Sequence, residues 1–108
     1  VGIVINIIIT EAAVDELEKL ENKFPNHFRF LHYEMGGCGL PLDGVLRLQL
    51  IKLNVGFEQV QTNWKLIYLN KSSLDFLDDN LTIDYSDGFQ IKSSNQTYSH
   101  NLPIEIEE

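Results

Sequence analysis

Between Val45 and Leu53 the chain alternates so regularly that few folds can accommodate it. Leu46, Leu48, Leu50 and Lys52 fall on one side of an extended strand; Arg47, Gln49, Ile51 and Leu53 fall on the other. A leucine face of this kind demands a second layer to cover it. The preceding stretch "HFRFLHYEM" is more restrictive still. Phe28, Phe30, His32 and Glu34 share one face, and Arg29, Leu31, Tyr33 and Met35 share the other. Apolar side chains on both faces predict a strand covered on both sides over much of its length.

The flanking segments fix the class. "IVINIIIT" is rich in β-branched residues and reads as a strand. Thr10 then offers a helix N-cap, with Glu11 in the first turn, where negative charge suits the helix dipole. Ala13, Val14, Leu17 and Leu20 form one helical face, while Asp15, Glu16, Glu18 and Lys19 point away. Asp15 and Lys19 are spaced for an ion pair. Pro25 ends the helix. "GFEQVQT" and "WKLIYLN" predict a hairpin turning at Thr62–Asn63. Ser72 or Ser73 is expected to cap a short helix through Leu77, with Asp75 in its first turn. "NLTIDYSDGFQIKS" reads as two short strands around Ser86–Asp87–Gly88. "LPIEIEE" adds an edge strand whose charges discourage pairing with other chains. The expected fold is a β-rich α+β domain, sheet packed on sheet, with the first helix outside. At 108 residues the chain fits one domain, 1–108. That length buries roughly two-thirds of the unfolded surface, so neither disulfide nor metal is needed for stability.

Charge removes several function classes. Eight basic residues against sixteen acidic give a net charge of −8. The cations are scattered, so no basic face is available for nucleic acid. An anionic membrane surface is disfavoured for the same reason, and "IVINIII" is far too short to span a bilayer. The charge suits solubility or a basic partner. One cysteine excludes an internal disulfide framework. It fits a reducing compartment, and no basic–apolar–small leader is visible, so a cytoplasmic setting is expected.

That cysteine, Cys38, sits in "EMGGCGLP" between Gly36, Gly37 and Gly39. Successive backbone N–H groups in a glycine-rich turn can cradle an anion, which a thiolate is, and so lower the thiol pKa. Glycines also let a metal or partner approach the backbone closely. The plainer alternative is a small residue in a tight turn. The residues leave both open.

The order of several segments resembles the HesB-like, or A-type, iron–sulfur cluster biosynthesis family. The resemblance runs from "IIITEAAVDELEKL" to "DGFQIKSSNQ". It includes the Thr10-capped helix opening Glu11-Ala12-Ala13, and the strand "FRFLHYE" leading into Gly36-Gly37-Cys38-Gly39. It continues through "LNKSSLDFL" with Ser73 at the family's serine, and "IDYSDGFQI" with Asp84, Tyr85, Gly88 and Phe89. Ser94-Asn95-Gln96 stands where members often have an asparagine–proline–asparagine turn. The resemblance implies a HesB-like sandwich of mixed sheets with one N-terminal helix and one short helix. It also implies a role in assembling or carrying iron or iron–sulfur clusters through Cys38, with a homo-oligomer and assembly or recipient proteins as partners. Two departures stand out. Typical carriers have a cysteine–glycine–cysteine near the C-terminus, where this chain has "NQTYSHNLPIE". Gly39 and Leu40 also replace the usual serine and glycine. The match is closer to a short branch that keeps only the central cysteine.

One thiolate cannot supply the four that usually hold a cluster. Two copies of the chain would contribute two, and imidazole can replace thiolate on a cluster iron. His32, on the strand before Cys38, and His100, near the missing cysteines, are therefore the auxiliary metal-ligand candidates. The plainer reading of both is a packed or surface histidine; His27 has no assigned role. Asp75, Asp78, Asp79, Asp84 and Asp87 lack the spacing and glycine of a calcium loop and read as caps, turns and solvated surface. A Cys–His–Asp hydrolase lacks any supporting motif. The expected protein is not an enzyme but a holder and donor of iron or a cluster. The alternative is a non-metal interaction module that keeps the fold without the chemistry.

Overall fold

The computed structural model describes residues 5–34, 45–52 and 55–107, apart from the side chains of Glu34 and Val45. The first strand is β1 (Asn6–Ile9), followed by helix α1 (Glu11–Lys23). Strands β2 (Phe28–Glu34), β3 (Val45–Ile51), β4 (Glu58–Val60) and β5 (Ile67–Leu69) come next. Helix α2 (Lys71–Leu74) precedes β6 (Asn80–Tyr85), β7 (Phe89–Lys92), β8 (Thr97–Leu102) and β9 (Glu105–Ile106). They form a four-stranded sheet in the order β1-β6-β7-β8 and a five-stranded sheet in the order β4-β5-β2-β3-β9. Both are mixed: β1–β6, β2–β5 and β3–β9 are parallel and the other pairs antiparallel. The architecture is the expected β-rich α+β sandwich with two helices.

The alternating leucines meet their second layer. Leu46, Leu48 and Leu50 are wholly buried, as are Leu31 and Leu69 of the same sheet and Ile83 and Ile91 of the other. Each such side chain contributes about 1.5–3 kcal/mol relative to exposure. The opposite face of β2 is covered differently, by rings on its own sheet. Phe30 lies 4.7 Å from Phe57, while Phe28 meets Tyr68 edge-on at 5.7 Å. Phe30 and Tyr68 are buried by this arrangement.

Thr10 caps α1 as expected, its hydroxyl accepting from Ala13 N. Ala13 and Leu17 enter the core, and Val14 and Leu20 pack against it. The helix lies across the end of the sandwich where β2 begins. There Glu21 takes Arg29 at 3.0 Å and Lys65 at 2.9 Å. Both cations also sit over Trp64. Asp15 and Lys19 are exposed and do not form the expected ion pair. The free edge of β1 is occupied by Asn63, whose amide accepts from Ile9 N and donates to Ile9 O. This side chain does the work of a neighbouring strand.

Two local expectations change. The short helix begins at Lys71, with Asn70 at the N-cap and Asp75 at the C-cap, so Ser73 lies inside it. The reason is tertiary: the Ser73 hydroxyl serves another element instead of a helix end. The stretch "TYSHNL", to which the sequence pattern assigns no element, is β8, a full member of the smaller sheet. The tail strand β9 does pair with the edge of β3.

Candidate functional site

The pairing directions separate the two ends of the sandwich. β2 ends and β3 begins at the end where β5 runs into α2, opposite α1. Gly36, Gly37, Cys38 and Gly39 belong to the connection between β2 and β3 and lie outside the described residues. Its root is well defined: Tyr33 pairs with Leu46 and Glu34 with Val45.

Several elements converge on that root. The Tyr33 ring stacks on Phe76 at 4.7 Å. Tyr33 N donates to the Ser73 hydroxyl at 3.1 Å, and the Ser99 hydroxyl donates to Leu46 O at 2.5 Å. Next to Ser99, the Tyr98 hydroxyl accepts from Asp78 N at 2.9 Å. Asp78 in turn accepts from the Ser93 hydroxyl at 2.5 Å. That bond, aided by the neighbouring Tyr98 hydroxyl, holds the Asp78 carboxyl below its ordinary value despite some desolvation. Burial pushes the Tyr98 phenol up.

The two candidate histidines differ. His32 is half-buried, on the side of β2 opposite the core residue Leu31. Its ring stacks on Phe30 at 6.0 Å, and Nδ1 lies 3.0 Å from the Asn70 amide nitrogen. With the amide donating, Nδ1 accepts and Nε2 carries the ring proton. This is the geometry of a packed histidine. His100 is exposed and sits where β8 slips register against β7. Ile91 pairs with Ser99 and Phe89 with Leu102, so His100 and Asn101 together face Gln90. Asn101 takes the left-handed conformation at φ 43°. Such bulges often re-aim side chains beside functional sites. Gly88 is required here, because a Cβ on it would meet the Asn101 backbone at 2.6 Å. Among the described residues no group of three or more His, Cys, Asp or Glu is placed to hold a metal ion.

Sequence reasoning missed Ser99 and Tyr98 as residues at this end. Their stretch, "TYSHNL", shows no apolar–polar alternation to mark a strand, because register shifts against β7 interrupt its period. Asp75, Asp79 and Asp87 are exposed at a helix cap and in bends, as expected, whereas Asp78 is half-buried against Ser93 and Asp84 lies within β6. Asp84 accepts from the Thr10 hydroxyl at 2.7 Å and from Tyr85 N at 2.8 Å, which lowers its carboxyl pKa.

A mixed-sheet sandwich with its lone thiol in the connection between two central strands matches a known class. The chain belongs to the iron–sulphur cluster biosynthesis family, whose model matches residues 5–106. It is 35% identical over 83 residues to the uncharacterized protein YqkB of Bacillus subtilis (strain 168), covering 76% of this chain and 78% of that protein. The fold is similar to that of a Lactobacillus salivarius protein assigned to Fe-S biosynthesis, with a TM-score of 0.72 and 17% identity over 94% of this chain and 98% of that one. It is also similar to IscA, solved with the 2Fe-2S cluster, with a TM-score of 0.63 and 20% identity over 82% of this chain and 86% of that one.

Proposed function

We propose that this protein takes part in iron–sulfur cluster assembly by holding iron or a cluster on Cys38 and passing it to a recipient protein. It acts as a carrier without catalytic turnover, in the cytoplasm. Family membership supports the general role. The observation that carries the specific reading is the Ser99–Leu46 hydrogen bond. It brings β8, with His100 in its bulge, beside the strand that leads out of the Cys38 connection.

The chain has a single cysteine, so the ligand set is completed across a homodimer or by the recipient. Two Cys38 thiolates and two His100 rings would give two sulfur and two nitrogen donors, a combination that iron–sulfur chemistry accepts. Transfer then exchanges Cys38 for a recipient thiolate on the same iron. Cys38 must lose its proton to bind, so uptake falls as pH is lowered.

The test is anaerobic reconstitution with iron and sulfide. Wild type is expected to gain visible charge-transfer absorption. Cys38→Ser should lose it, and His100→Ala should shift or weaken it. The lone cysteine also motivates a second reading, a non-metal interaction module that retains the fold. Under that reading wild type gains no absorption, and Cys38→Ser leaves partner binding intact.

A further inference from the structure

At the end of the sandwich closed by α1, a groove of about 490 Å³ lies between that helix and the bend at Asn63 and Trp64. Its volume is within the range of ligand-binding clefts. Ile9, Val14 and the Trp64 ring give it an apolar lining, and Asn63 adds an amide. Its charged groups are the carboxylates of Glu11 and Asp15, one helical turn apart on the same side of α1.

Neither carboxylate is taken up by a partner within the fold. Glu11 and Asp15 are exposed, and among the described residues neither joins an ion pair. The cations at this end are engaged elsewhere. Arg29 and Lys65 both bind Glu21, and neither lines the groove. Both lie over Trp64, at 5.5 and 4.9 Å from the ring centroid. The indole is thus a surface on which this protein already seats a guanidinium, and the groove reaches it from where neither cation stands. The edge of β1 beside the groove is closed to an added strand. Thr62 bridges to Ile7, and Asn63 bonds both Ile9 N and Ile9 O. A partner must therefore enter by a side chain. Ile8, between those two positions, is 52% exposed and offers an apolar contact next to the groove.

We propose that this groove is a docking site for an arginine-bearing segment of a protein partner, with an apolar residue beside the arginine. Charge complementarity selects the occupant. The net charge of −8 draws a cation from a distance, and the two unpaired carboxylates receive it. A planar guanidinium suits both walls, because it pairs with a carboxylate through two N–H groups and stacks flat on an indole. The groove lies at the opposite end of the sandwich from the β2–β3 root, so a docked partner leaves that end open. Cys38 takes no part in it.

The test titrates the apo-protein with the blocked peptide Gly-Leu-Arg-Leu-Gly and follows the fluorescence of Trp64, the only tryptophan of the chain. A saturable change is expected, with Gly-Leu-Lys-Leu-Gly weaker by about threefold or more. Glu11→Gln combined with Asp15→Asn should weaken the arginine peptide about tenfold, the size expected of two partly exposed charge pairs. Both positions are exposed and both replacements keep the side-chain shape, so the fold is retained. Glu58→Gln combined with Asp75→Asn removes the same charge from exposed sites outside the groove and should leave binding within about twofold of wild type. Three results would overturn the proposal: no saturable change in wild type, equal weakening by the two double variants, or lysine peptide or spermine binding as tightly as the arginine peptide. Iron does not enter the readout, so failure of wild type to take up iron would count against the carrier reading and leave this result standing.

Discussion

At the scale of single residues, Thr10 does two jobs with one hydroxyl, capping α1 and donating to Asp84. The second job has a pH signature. The Asp84 carboxyl is depressed, chiefly by Thr10 and then by Tyr85 N. A depressed carboxyl stabilises the fold at pH values above the unfolded aspartate value of about 3.9 and loses that contribution as pH falls through its folded value. Asp84→Asn is therefore expected to flatten the acid side of the stability–pH curve, measured by urea unfolding between pH 2 and pH 6. Thr10→Ala should lower stability by about 1 kcal/mol near neutrality through the lost cap. The capping role was legible because the residues that reveal it are adjacent: a threonine, an acidic first turn and an apolar stripe. Ser73 was not legible in the same way. It has the composition of a cap, but its partner is the backbone of Tyr33, remote in sequence, and only the fold brings them together.

At the scale of elements, the strands with unbroken alternation could be read directly. β3 is the clearest case, since Leu46, Leu48 and Leu50 all reach full burial. Leu48→Ala should cost about 2–5 kcal/mol by denaturant titration, because the rigid sandwich cannot close over the lost volume. β8 escaped the same reading because its register breaks at His100 and Asn101. A bulge adds a residue, and one added residue moves everything beyond it to the opposite face. The strand is real but its period is interrupted. Gly88→Ala tests how tightly that bulge is held. Its new methyl would strike the Asn101 backbone, and a loss of roughly 1–3 kcal/mol is expected in thermal or urea melts. A small loss would mean that Asn101 gives way and that His100 is free to reorient.

At the scale of the whole molecule, the sandwich has two unlike ends. One is closed by α1, bound through Glu21 to Arg29 and Lys65. The other carries α2, Tyr98 and the β2–β3 root, and the Cys38 connection departs from it. No helix among the described residues is long and apolar enough to cross a membrane. The fold class could be read before the structure because one helix and many strands leave few layer arrangements for a chain of this size. The make-up of the candidate site could not. Its serines, Ser73 and Ser99, bond to the backbone of Tyr33 and Leu46, far away in sequence, and no local pattern encodes such partners. The most direct test of the central claim is iron bound per chain after anaerobic reconstitution and gel filtration, comparing wild type with Cys38→Ser. The carrier reading predicts stoichiometric iron and sulfide in wild type, in a fraction larger than the monomer, and near-background iron in Cys38→Ser. Equal iron in the two proteins, or none in either, would contradict it.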